Sequence, residues 1–193
     1  MNTTVLYSDS GAFAIDENGI VQSFRPSDDN PFIYENIPDE VWIQQSIRTL
    51  VVPDGVKGFC SEFMRGVWIK EKFILPDSLI SIGSNSFDFG HQQHSVFANS
   101  ILPEVKIPSS VQTIGNFAFG GSRIKLLQLP VGLQSPYGRQ FKDSYIEELK
   151  LPAEWEGKVG LDQYNQLDAR QLGDAYDYLH WPSTKIGKLI FYK

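Results

Sequence analysis

Ile107-Pro108-Ser109-Ser110-Val111-Gln112-Thr113-Ile114-Gly115-Asn116-Phe117-Ala118-Phe119 is the stretch whose reading decides the fold. Its beginning recurs along the chain as Leu50-Val51-Val52-Pro53-Asp54-Gly55-Val56, Phe73-Ile74-Leu75-Pro76-Asp77-Ser78-Leu79, Leu127-Gln128-Leu129-Pro130-Val131-Gly132-Leu133 and Leu149-Lys150-Leu151-Pro152-Ala153-Glu154-Trp155. The prolines at 53, 76, 108, 130 and 152 are spaced 23, 32, 22 and 22 residues apart. The long interval reads as one unit plus about ten inserted residues, near 88–100. Apolar residues hold the positions three before, one before and three after each proline. Eleven after come Phe87, Phe119 and Phe141, with Phe63 one residue early in the first unit.

Apolar residues two apart are the signature of a short strand that shows one face to a core. Proline ends such a strand because it has no N–H for the next rung. Gly55, Ser78, Ser110 and Gly132 then supply the turn. One unit cannot bury its apolar side alone. Stacked units bury a continuous column, and identical strands align as a parallel sheet. The expected fold is α/β or mainly β, with about five repeats of 22–23 residues.

The phrases at 107–119 and 75–87 carry a resemblance to the BspA-like leucine-rich repeat family, which extends over about residues 47–152. The resemblance implies a right-handed solenoid that binds other macromolecules, in a family whose members are commonly bacterial and often surface-exposed.

Outside the repeat, Thr4–Tyr7, Ala12–Ile15 and Ile20–Phe24 read as strands, with Asp16-Glu17-Asn18-Gly19 as a turn. Residues 25–31 read as a polar loop. Pro38-Asp39-Glu40-Val41-Trp42-Ile43 reads either as a helix start or as a shortened repeat. Leu161 to Leu179 is helix-like in composition, and Lys188–Tyr192 reads as a closing strand. The division is therefore an acidic N-terminal cap over 1–46 and a repeat region over 47–193, with its C-terminal cap at 153–193.

The chain has 193 residues, 41% of them hydrophobic, long enough to bury roughly 70% of its unfolded surface. No apolar run reaches the length of a membrane span. The N-terminus has no signal-like core and Cys60 is the one cysteine, which together point to the cytoplasm unless a signal was trimmed. Net charge is −6, which argues against nucleic acid as a main partner. Residues 1–46 hold eight acids against Arg25, and residues 47–193 hold 16 bases against 15 acids.

Few residues suggest chemistry. His91 and His94 have helical metal-ligand spacing with Asp88 nearby, but the segment reads as a solvated loop and no cofactor is expected. Cys60 stands where stronger units have Gly83 and Gly115, and reads as a buried small thiol. Phosphate-loop, dinucleotide and nucleophile-elbow patterns are absent. The chain therefore reads as non-enzymatic. If positions −3 and −1 point inward, positions −4 and −2 point outward. A partner-binding ladder is then expected at Val51, Lys72, Ile74, Glu104, Lys106, Leu126, Gln128, Glu148 and Lys150, with Thr49 beside them. Its mixture of charge and apolar groups suits a protein. The alternative is a carbohydrate-binding or carbohydrate-processing solenoid. It would use Tyr176, Tyr178, His180, Trp181 and carboxylates such as Glu147, Glu148, Glu154 and Glu156, with a glycan as partner. Nothing in the sequence specifies the oligomeric state.

Overall fold

The computed structural model describes residues 3–34, 45–60, 62–83, 96–133, 139–168 and 183–193. The chain is mainly β, and no α-helix occurs among the described residues. The repeated phrases form β5 (Gln45–Val51), β7 (Val67–Ile74), β9 (Ile101–Lys106), β11 (Arg123–Gln128) and β12 (Tyr145–Pro152). With β15 (Lys185–Tyr192) and β4 (Ile33–Tyr34) they make one sheet, in the order β15-β12-β11-β9-β7-β5-β4. Each neighbouring pair from β5 to β15 is parallel, and β4 lies antiparallel on β5.

Register follows the repeat. Leu127 lies level with Val105 on one side and Leu149 on the other, and Leu149 with Leu189. The 23-residue first interval has a local cause. Ile47 is level with Ile69 but Thr49 with Lys72, so the extra residue is a bulge at Lys70–Glu71. Every apolar residue three before or one before a repeat proline is buried, from Leu50 and Val52 to Leu149 and Leu151. The ladder runs up to the residue before each of three prolines: Val52 N–H donates to Ile74 O, Ile107 to Gln128 O and Leu129 to Lys150 O.

After the turn, where Gly55 and Gly132 take φ of 95° and 78°, the chain forms a second run of short strands. These are β6 (Gly58–Phe59), β8 (Ser81–Ile82) and β10 (Thr113–Ile114), with β8 parallel to β10. The phenylalanines then return to the core. Phe97, Phe119 and Phe141 stack in a column with centroids 5.3 and 5.0 Å apart and planes tilted by only 14° and 6°. This spacing is the strand spacing carried inward. It revises the expected column in one place. Phe87 lies outside the described residues, and the rung next to Phe119 is filled by Phe97. Ile82 is level with Ile114, 32 residues on, whereas Phe97 and Phe119 bond to successive coils 22 residues apart. The inserted residues thus fall between Gly83 and Val96, not at 96–100. In the first unit Met64 takes the backbone place, its N–H donating to Val96 O as Phe97 donates to Ala118 O. Phe63 instead joins Phe13, Phe24 and Phe59 in an aromatic cluster under the N-terminal strands.

A second column had no counterpart in the sequence reading. Ser100, Ser122, Ser144 and Thr184 are buried just before their strands. Each hydroxyl donates to a carbonyl of the coil before it, at Met64, Phe97, Phe119 and Phe141 respectively. The preceding residues, Asn99, Gly121, Asp143 and Ser183, all have positive φ between 53° and 67°, as does Gly66 at the equivalent place before Val67. Glycine, asparagine and aspartate tolerate that corner best. Ser122 also accepts from Ser100 N–H at 3.3 Å. Ser122→Ala is expected to cost about 1–2 kcal/mol in urea unfolding, because it leaves the Phe97 carbonyl buried without its donor.

The N-terminal strands β1 (Thr4–Ser8), β2 (Gly11–Ile15) and β3 (Ile20–Pro26) form an antiparallel meander. Asp16 closes its turn, accepting from Asn18 and Ile20 N–H. β3 pairs in parallel with β6, so the meander continues the second run of strands. The polar loop is not merely solvated. Asn30 is buried and bonds the edge of β5, donating to Thr49 O at 2.7 Å and accepting from Thr49 N–H at 3.0 Å. One residue pair further, Ser10 Oγ donates to Val51 O and accepts from Val51 N–H.

At the other end the helix-like reading of 161–179 is corrected where it is described. β13 (Gly160–Leu161) and β14 (Leu167–Asp168) form a small hairpin, its turn held by Asp162 accepting from Tyr164 and Gln166 N–H. Turn formers at Asp162 and Asn165, the latter with φ of 59°, outweigh helical composition here. Residues 169–182 lie outside the described residues, as do 38–43. The closing strand begins earlier than expected, at Lys185, and adds a sixth parallel rung to the sheet.

Candidate interaction surface

The six parallel strands do not alternate strictly. Buried residues fall at Ile47 and Leu50, Leu102 and Val105, Ile124 and Leu127, Ile146 and Leu149, each pair three apart. Two consecutive residues between them therefore face away from the core. Positions −4 and −2 are among the outward residues. Lys72, Ile74, Glu104 and Lys106 are exposed, while Thr49, Val51, Leu126, Gln128, Glu148 and Lys150 are half-buried. The register brings them together in two rows. One runs Thr49–Lys72 and Glu104–Leu126–Glu148–Lys188, the other Val51–Ile74 and Lys106–Gln128–Lys150–Ile190. Ion pairs tie Lys106 to Glu104 at 3.0 Å and Lys188 to Glu148 at 3.7 Å.

A third row escaped the sequence reading: Trp68–Ile101–Arg123–Tyr145–Lys185. Its signal was present. Leu102, Ile124 and Ile146 recur six residues before their prolines, and an apolar residue there extends the strand backwards by half its length. Lys70 lies over the Trp68 ring at 4.9 Å. At the edge, Tyr192 donates its hydroxyl to Leu129 O. Burial raises its pKa, with a hydrogen bond to Gln128 opposing and Glu154 reinforcing the rise, so the donor keeps its proton at neutral pH.

The net charge of the chain conceals how charge is distributed. β5, β7, β9, β11, β12 and β15 carry nine lysines and arginines against four glutamates, a net +5. All thirteen are exposed or half-buried. Against 17 bases and 23 acids in the whole chain, the remainder holds 8 and 19, a net −11.

Other candidates resolve differently. His91, His94 and Asp88 lie outside the described residues, as do Tyr176, Tyr178, His180 and Trp181. No group of three metal-ligating side chains occurs among the described residues. Cys60 is half-buried, with its thiol 3.8 Å from Gln22 O. Burial pushes its pKa up, against a smaller opposing effect of its backbone hydrogen bond. Thiolate, the reactive form, is thus scarcer than in a free cysteine at the same pH. Iodoacetamide at about pH 8 is expected to label Cys60 more slowly than a cysteine peptide, and to match it only after unfolding in urea. Among the described residues no helix is long and apolar enough to cross a membrane.

Comparison with known proteins agrees with the repeat. No curated protein and no solved structure matched the chain. Residues 90–157 match the family model described as BspA type leucine rich repeat region, in six copies. That span covers β9, β10, β11 and β12, where the stacked phenylalanines and the buried serines recur. Over residues 90–157 the chain is therefore similar to the BspA-type leucine-rich repeat family.

Proposed function

We propose that this chain is a non-enzymatic protein-binding module, a short right-handed solenoid that recognises its partner through the outward face of the parallel sheet. The observation that carries the reading is the alignment of outward side chains in rows across neighbouring strands. Side chains from consecutive repeats lie level with one another, and apolar Ile74 stays 40% exposed among lysines and glutamates. Such a mixed surface matches the composition of protein interfaces. Right-handedness follows from the strong preference of parallel crossover connections. On this reading residues 1–46 close one end of the stack, and residues 153–193 close the other around the sixth rung.

The test is affinity capture from lysate of the source cell, with wild type beside the triple variant Lys72→Glu, Lys106→Glu and Lys150→Glu. The variant is expected to keep its circular-dichroism spectrum, because the three side chains face away from the core. It is expected to lose a protein that wild type retains, with affinity reduced about tenfold or more. Equal capture by both would move the binding site off the sheet, and loss of folded signal would overturn the outward placement.

A further inference from the structure

We infer that the sheet face is built for an acidic segment of a partner protein. This rests on the protein-binding reading above and adds the chemistry of the partner. A chain that assembles +5 on six strands of one sheet and holds −6 (seven bases, 13 acids) among its other described residues is electrostatically bipolar. Residues far apart in sequence contribute the positive side, among them Lys72, Arg123, Lys125 and Lys185, and only the repeat register brings them onto one surface. Fields of this kind steer an oppositely charged partner and exclude like-charged ones. Among the described residues outside those strands, 13 acids stand against seven bases, so such a partner is repelled there on balance.

The pattern favours a polypeptide over a nucleic acid. A phosphate backbone would want an unbroken cationic track. Here Glu104 and Glu148 sit within the rows, each already paired to a lysine. Apolar groups on the same face would meet apolar side chains, which a polypeptide supplies between its carboxylates.

The experiment uses the intact chain and fluorescence anisotropy with three labelled probes: a random glutamate–tyrosine copolymer, a lysine–tyrosine copolymer, and an oligothymidylate of matched charge. The glutamate–tyrosine copolymer is expected to bind. Its affinity should fall about tenfold or more between about 0.05 and about 0.5 M salt, as screening shortens the reach of the field. The lysine copolymer is expected not to bind, and the oligothymidylate to bind about tenfold more weakly than the acidic copolymer. The double variant Lys125→Glu and Lys185→Glu should lose the acidic copolymer. Lys57→Glu with Lys158→Glu, the same charge change at exposed lysines away from the sheet, should bind within about twofold of wild type. Absence of acidic-copolymer binding, equal loss in both double variants, or oligothymidylate binding as tight as the copolymer would each overturn the inference. Salt-sensitive self-association in sedimentation, abolished by the sheet variant, would make the occupant a second copy and overturn it as well. A protein captured through the sheet in the lysate experiment while the acidic copolymer fails would leave the protein-binding reading standing and sink only this one.

Discussion

Phe119→Ala is expected to destabilise the protein by about 3–5 kcal/mol. Phe119 is fully buried and its ring is sandwiched between Phe97 and Phe141 at 5.3 and 5.0 Å. Removing it takes away the stacking on both faces and leaves a gap in the middle of the column. The rungs above and below cannot close that gap, because their backbones are held at strand spacing by the sheet on one side and by the serine hydroxyls on the other. The check is urea denaturation followed by tryptophan fluorescence. Phe119→Leu keeps most of the volume and should recover more than half of the loss. A cost below about 1 kcal/mol for the alanine variant would mean that the column is not the core.

Asn30→Ala is the second large effect, about 2–3 kcal/mol, and its origin is polar. The side chain answers both the N–H and the carbonyl of Thr49 on the edge of β5, and it also donates to Ser10 O. An exposed parallel edge is a template for pairing with other chains. Asn30 and Ser10 act there as a surrogate strand beyond the short β4. The variant should therefore show faster hydrogen exchange at Thr49 and Val51 as well as lower stability. The amides of β11 should exchange as in wild type, because the opening is local to one end of the stack.

These two residues mark what the sequence could and could not disclose. Phe119 was legible because it repeats: proline, aliphatic pair and phenylalanine recur at fixed spacing, and a stacked architecture is the only way to bury them all. The inward and outward placement of Leu127, Leu129, Leu126 and Gln128 followed from the same spacing. Asn30 was illegible, since it occurs once, in a segment whose composition reads as loop. Its role comes from the edge it faces, which is fifteen or more residues away in sequence. Phe97 was missed for a related reason. An insertion preserves the period on each side of itself but hides where the count resumes, and a phenylalanine at 87 satisfied the same rule. The Trp68–Ile101–Arg123–Tyr145–Lys185 row was missed because strict alternation was assumed backwards through a strand in which two adjacent residues face outward. The helix-like composition of Leu161 to Leu179 hides the hairpin at its start, because turn chemistry is local while composition is averaged over a longer stretch.

The electrostatic picture shows the same limit. Net charge, read along the chain, suggested an acidic molecule with its acids gathered in residues 1–46. Folding sorts that charge in space. Six strands bring nine bases against four acids onto one sheet, while the other described residues hold 13 acids against seven bases.

The measurement that bears most directly on the account is photo-crosslinking from a single outer position. p-Benzoylphenylalanine in place of Leu126 sits in the middle of the outward rows. The same residue in place of Val131 sits in the exposed turn beyond the strand, where 57% of that side chain is accessible. The account predicts that illumination of the partner complex joins the partner to position 126 and leaves position 131 unlinked. Linkage at 131 with none at 126 would contradict it, and would place recognition on the turns instead of the sheet.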